Sequence, residues 1–183
     1  MSVELLSGRV LAPNFGSSIY VWGGIITIFM LALSIGYLVG GRFSMREPSL
    51  QKLTFILLLA AATTTPIVFI GDAALDRIFS LIQDPRYGSL ISATILFFIP
   101  TMISGMISPY AVRLLVRESS HSGHYAGLLY FISTFGSAAG TLFTSFYLVL
   151  YLEIGQIFWL MIGISVAISA ISLFIGRKRI EIS

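Results

Sequence analysis

The run Ile19-Tyr-Val-Trp-Gly-Gly-Ile-Ile-Thr-Ile-Phe-Met-Leu-Ala-Leu-Ser-Ile-Gly-Tyr-Leu-Val39, followed at once by Gly40-Gly41-Arg42-Phe43-Ser44-Met45-Arg46, decides the fold. It carries no charge, and at about 1.5 Å per residue a helix over it covers the roughly 30 Å of bilayer hydrocarbon. Tyr20 and Trp22 suit one interface. The glycines and arginines suit a tight reversal among headgroups at the other. Comparable apolar stretches recur along the chain, and spans are expected over about 19–39, 50–70, 89–110, 125–150 and 156–175.

The basic residues alternate with these spans. Of eleven Lys and Arg, Arg42, Arg46, Lys52, Arg113, Arg117, Arg177, Lys178 and Arg179 fall in three short segments separated by pairs of crossings. The intervening segments carry Asp72, Asp76, Arg77, Asp84 and Arg86, and then Glu153 alone. This asymmetry orients membrane helices, so the basic turns and the carboxy end are expected in the cytoplasm.

A hydrophobic share of 56% and a charged share of 10% fit a chain whose solvent is largely lipid, since soluble domains carry roughly 25% charged residues. The net charge of +3 sits at helix ends, where bases meet anionic headgroups, so nucleic acid is not an expected partner. Without a cysteine, disulfides and thiolate chemistry are excluded.

Three local patterns set further expectations. Leu75, Ile78, Phe79 and Ile82 share one helical face and Asp72, Asp76, Ser80 and Gln83 another, which predicts a separate interfacial helix over about 72–83. Asp84 to Gly88 should break that helix, and Pro100 and Pro109 should interrupt the backbone ladder of the next span. Residues 1–12 are apolar around Glu4 and Arg9 but too short to cross, as though they were the outer end of a first helix, with a turn expected at Pro13-Asn14-Phe15-Gly16.

The opening Glu4-Leu-Leu-Ser-Gly-Arg9-Val-Leu-Ala-Pro13-Asn-Phe-Gly16, with Gly36-Tyr37-Leu-Val-Gly40-Gly41-Arg42, Gly105-Met-Ile-Ser108-Pro109-Tyr110-Ala-Val-Arg113 and Ala126-Gly127-Leu-Leu-Tyr130, resembles the membrane domain of bacterial fused major facilitator/spermidine synthase-like proteins. Ser133-Thr134-Phe-Gly136-Ser137-Ala-Ala-Gly140-Thr141 extends the similarity. The resemblance implies an all-α, polytopic transmembrane bundle like half of a major facilitator fold, with five full helices, a shortened first one and a bacterial inner-membrane location. In that family a soluble aminopropyltransferase-like domain usually follows. No strand and Gly-rich phosphate loop follow Ile175, so no nucleotide-like cofactor and no polyamine aminopropyl transfer are expected of this chain by itself.

Polar groups at membrane depth are the candidates for function. Glu4 and Arg9 stand about 140° apart on a helix, so they cannot pair with each other and mark either a solute path or a headgroup anchor. Tyr37, Tyr130 and Thr134 are candidate path-lining residues, and Arg42, Arg46, Arg113 and Arg117 are candidate docking residues. Ser133, Ser137 and Thr141 beside Gly136 and Gly140 read first as a strip allowing close helix approach, as do Ser165, Ser169 and Ser172. Thr63, Thr64 and Thr65 should satisfy carbonyls that Pro66 leaves free. His121 and His124 have only Glu118 as a nearby carboxylate, so no metal is expected.

Two functions compete at this stage. The first is a membrane module that anchors or partners a soluble spermidine synthase-like protein through the basic turns. The second is a half-size transporter that dimerises to carry a small polar or cationic solute.

Overall fold

A computed structural model describes residues 1–45, 48–115 and 122–181, the side chains at 122, 124 and 175–181 excepted. Every element among these residues is helical. Five helices are long and apolar enough to cross a bilayer, and the chain is a multi-pass membrane protein with an all-α bundle fold. Large apolar side chains such as Phe69, Phe131 and Phe174 face outward, as they do where the surrounding solvent is lipid.

Helix α1 (Ser2–Phe15) is half-length and lies inside the bundle, with Leu6 and Leu11 fully buried. It runs through Pro13 and ends at Gly16, whose φ of 75° is the left-handed geometry that glycine adopts without a steric penalty. The turn expected from Pro13 therefore comes later, at Gly16 to Ser18.

Helices α2 (Ile19–Ser44) and α4 (Pro85–Leu115) run parallel and in close contact. A methyl on Gly36 would overlap the Met102 carbonyl oxygen, one on Gly40 would lie 2.6 Å from Met106 Cα, and one on Gly105 would lie 3.1 Å from the Leu33 carbonyl oxygen. Only hydrogen at these positions lets the two backbones meet. Asp84 starts α4 by accepting the Arg86 amide at 2.8 Å, and Pro85 occupies the first helical position. The helix thus begins before Gly88, not after it. It carries Pro100 and Pro109 without leaving helical backbone, and the interruption of the ladder is confined to the Leu96 and Gly105 carbonyls, which lose their in-helix donors.

Helix α3 (Leu50–Leu81) is continuous, about 48 Å long at the helical rise. The separate helix expected over 72–83 is its last turns. Ile67, Gly71, Leu75 and Ile78 form one buried stripe, and Phe79 meets Phe15 edge-on at 5.5 Å. The apolar face read as interfacial is therefore packed against α1, because α3 continues through buried Gly71 and the helical phase carries through.

The fourth crossing is one rod made of α5 (Ser122–Phe143), a π-helical segment Thr144–Leu148 and the single turn α6 (Val149–Tyr151). Thr144 is buried, and Leu148 and Val149 pack on the core. No described side chain from 123 to 143 is buried. Helix α7 (Ile154–Glu181) returns along α3, with Ile157 and Phe158 in the core.

The turns after α1, α3 and α6 lie at one end, hereafter the Asp84 end; the last turns of α2 and α4 lie at the other, hereafter the Arg42 end. The larger core cluster fills the Asp84 half around Leu11, Phe97 and Phe158. A smaller one, with Ile56, Ala60, Ile103 and Tyr110, holds the Arg42 half.

Candidate functional site

Several charged groups at the Asp84 end have structural partners. Asp76 accepts a 3.0 Å hydrogen bond from Asn14 Nδ2 and so ties α1 to α3. Asp84 caps α4, and the Arg86 guanidinium lies 4.3 Å from the Tyr20 ring centroid.

Arg9, Asp72 and Glu153 are different. They come from α1, α3 and the α6–α7 turn and line one cavity of about 480 Å³, within the size range of small-molecule clefts. Its apolar wall includes Val10, Ile67, Val68, Leu152 and Phe158. No ion pair or side-chain hydrogen bond joins Arg9, Asp72 or Glu153 to each other or to any neighbour among the described residues. All three are exposed, so the cavity opens at the Asp84 end. Pro13 also lines it, and lacks the N–H that the Arg9 carbonyl would accept in an uninterrupted helix.

Local structure explains the convergence. The helical course through Pro13 keeps Arg9 about two turns below the Asp84 end. Continuation of α3 past Gly71 raises Asp72 beside it. The shortness of the turn at Leu152 and Glu153 brings the third charge onto the same rim, with the Glu153 amide held by Gln156 Oε1 at 3.1 Å.

The other sequence candidates do not gather here. Glu4 is half-buried on α1, and only its backbone carbonyl is engaged, by Ser7 Oγ at 2.6 Å. Tyr37, Tyr130 and Thr134 are exposed on the bundle surface and, like Glu4, line neither this cavity nor the one at the opposite end. That second cavity, about 570 Å³, is lined by Val39, Arg42, Phe43 and Met45. Arg113 is exposed on the last turn of α4. Arg46, Arg117, Glu118 and His121 lie outside the described residues, as does the His124 side chain.

Two small-residue readings change. No helix among the described residues lies against the strip on α5 at Gly136, where an added methyl would meet nothing within 4 Å, and Gly140 faces Ser2 Oγ at 3.5 Å. Thr141 donates to the Ser137 carbonyl of its own helix at 2.9 Å. On α7, by contrast, Ser172 meets Thr54 of α3 at 2.8 Å. Thr63, Thr64 and Thr65 bond the carbonyls of Leu59, Ala60 and Ala61 at 2.8–2.9 Å. The carbonyl that Pro66 deprives of a partner is that of Ala62, so these hydroxyls serve the turn before the one expected.

Asp72 and Glu153 were not legible as site residues. Their signal is positional only, since each stands alone at the rim of an apolar run, and nothing local ties them to Arg9. The chain matches no family model, no curated protein and no solved structure.

Proposed function

We propose that this chain is a solute-binding module of a membrane carrier, oriented in a bacterial inner membrane with the Asp84 end outside and the carboxy end in the cytoplasm. The observation that carries this reading is the open cavity to which two helices and the α6–α7 turn bring charged side chains with no partner among the described residues. A purely structural bundle gains nothing from leaving three such groups unpaired at one rim, whereas a solute site needs them free. The resemblance to the spermidine synthase-like membrane domain agrees with a solute-handling role. The test is a thermal-shift screen of the purified protein against small polar solutes, followed by uptake of any stabilising solute into proteoliposomes. Stabilisation with accumulation supports the reading; a chain that no solute stabilises and that carries none overturns it.

One observation favours a second role at the other end. Arg42 shares its cavity with the exposed apolar residues Phe43 and Met45, a base beside grease that suits a docked soluble protein of the aminopropyltransferase-like class. Co-purification with such a protein, abolished by Arg42→Glu, is the outcome that role requires.

A further inference from the structure

Resting on the solute-binding reading, we infer that the cavity of Arg9, Asp72 and Glu153 recognises a diamino carboxylic acid, a ligand with two ammonium groups and one carboxylate. A guanidinium and two carboxylates in one cavity ordinarily form salt bridges, because the planar guanidinium fork matches a carboxylate. Here they line the same walls without pairing. Each is therefore available to a ligand group of opposite sign.

The charges define what fits. Arg9 takes the ligand carboxylate, preferably as a bidentate pair. Asp72 and Glu153 each take an ammonium. The side chains sum to one negative charge, and a diamino monocarboxylate carries one positive charge, so the occupied site is neutral. A diamine leaves Arg9 unmatched, a neutral zwitterion leaves one acid unmatched, and an acidic amino acid leaves one acid unmatched while bringing a second carboxylate near the other. The apolar wall formed by Val10, Ile67, Val68, Leu152 and Phe158 suits the methylene chain joining the polar ends. The Arg9 carbonyl, deprived of an in-helix donor by Pro13, is a further acceptor for an ammonium at the same rim.

Because the three charges belong to α1, α3 and the α6–α7 turn, a bound ligand bridges elements that otherwise meet there through apolar contacts and the Asn14–Asp76 hydrogen bond. Binding therefore raises the unfolding temperature.

The experiment uses the full chain in nanodiscs, with radiolabelled L-ornithine as probe and putrescine, L-alanine and L-glutamate as competitors. Saturable ornithine binding is expected, with weak competition from all three. Arg9→Gln, Asp72→Asn and Glu153→Gln should each weaken it about tenfold or more, as loss of one charge-assisted hydrogen bond does, while the ligand-free unfolding temperature stays unchanged. Arg9→Lys should retain part of the binding. Putrescine competing as well as unlabelled ornithine, or Arg9→Gln binding ornithine normally, would overturn the assignment of the carboxylate to Arg9. Absence of ornithine binding overturns the ligand class. If a different solute is nevertheless bound and accumulated in proteoliposomes, only the ligand class falls; if ornithine binds but is not accumulated, the site stands and the carrier role falls.

Discussion

The Tyr110 hydroxyl accepts the Ser49 amide at 3.0 Å and donates to the Ser49 carbonyl at 3.3 Å, so one buried phenol holds both backbone polar groups of the residue that starts α3. Ser49 uses its own hydroxyl differently, accepting the Lys52 amide at 3.3 Å as a helix cap. The end of α4 is thereby fastened to the beginning of α3, on the side of the bundle where the smaller core cluster lies. Tyr110→Phe keeps the ring contacts and removes both bonds, and should cost about 1–2 kcal/mol. Ser49→Ala leaves the latch intact and should cost about 1 kcal/mol through the cap alone. Unfolding titrations in mixed micelles measure both, and an unaltered midpoint for Tyr110→Phe would mean that water serves Ser49 equally well.

The contact between α2 and α4 makes a sharper contrast, because glycines on one helix differ in what lies opposite. A side-chain methyl at Gly36 or Gly40 runs into backbone atoms of Met102 or Met106, which cannot rotate away. Gly36→Ala and Gly40→Ala should each cost about 1–3 kcal/mol by overpacking. Gly41 and Gly136 face open space, so alanine there should cost nothing and gain up to about 1 kcal/mol of helix stability. The same micelle titration separates the two pairs. Equal behaviour of Gly36→Ala and Gly41→Ala would remove the close-contact account of α2 and α4.

The spans were legible because a membrane helix has a one-dimensional signature: length, absence of charge and flanking bases. The Leu50 to Ile70 stretch announced itself that way, whereas its continuation to Leu81 did not. Asp72 reads as the end of hydrocarbon, and sequence periodicity does not distinguish a helix that stops there from one that emerges and continues. Glycine roles were ambiguous for a related reason. The Gly36/Gly40 and Gly136/Gly140 pairs have the same spacing, and only the neighbouring helix decides which pair is compressed. The candidate site was least legible of all, since Arg9, Asp72 and Glu153 are separated by 62 residues or more and meet through tertiary packing alone.

Orientation can be checked without background labelling, because the chain has no native cysteine. Single substitutions Gln83→Cys and Glu153→Cys at the Asp84 end should react with a membrane-impermeant maleimide on intact cells. Met45→Cys and Leu115→Cys at the Arg42 end should react only after permeabilisation, as the basic turns require. Labelling of Met45→Cys and Gln83→Cys under the same conditions on intact cells would contradict the arrangement of crossings.

The attachment of α7 to α3 combines apolar and polar contacts, and these can be told apart. Phe69 and Trp159 meet edge-on at 5.6 Å near the Asp84 end, while toward the Arg42 end Thr54 Oγ1 lies 2.8 Å from Ser172 Oγ and 2.9 Å from the Leu50 carbonyl. One threonine proton serves a single acceptor at a time, so a donation back from Ser172 lets Thr54 keep its own helix bond and still join the two helices. Thr54→Val preserves shape and removes the hydroxyl; Ser172→Ala removes the other partner. A double-mutant cycle should give a coupling of about 0.6 kcal/mol and no more than about 1.7, because hydroxyls released within a bilayer find carbonyls on their own helices. Coupling indistinguishable from zero would assign the adhesion of α7 to the apolar contacts of Ile157, Phe158 and Trp159, leaving the hydroxyl pair as a consequence of packing, not a cause.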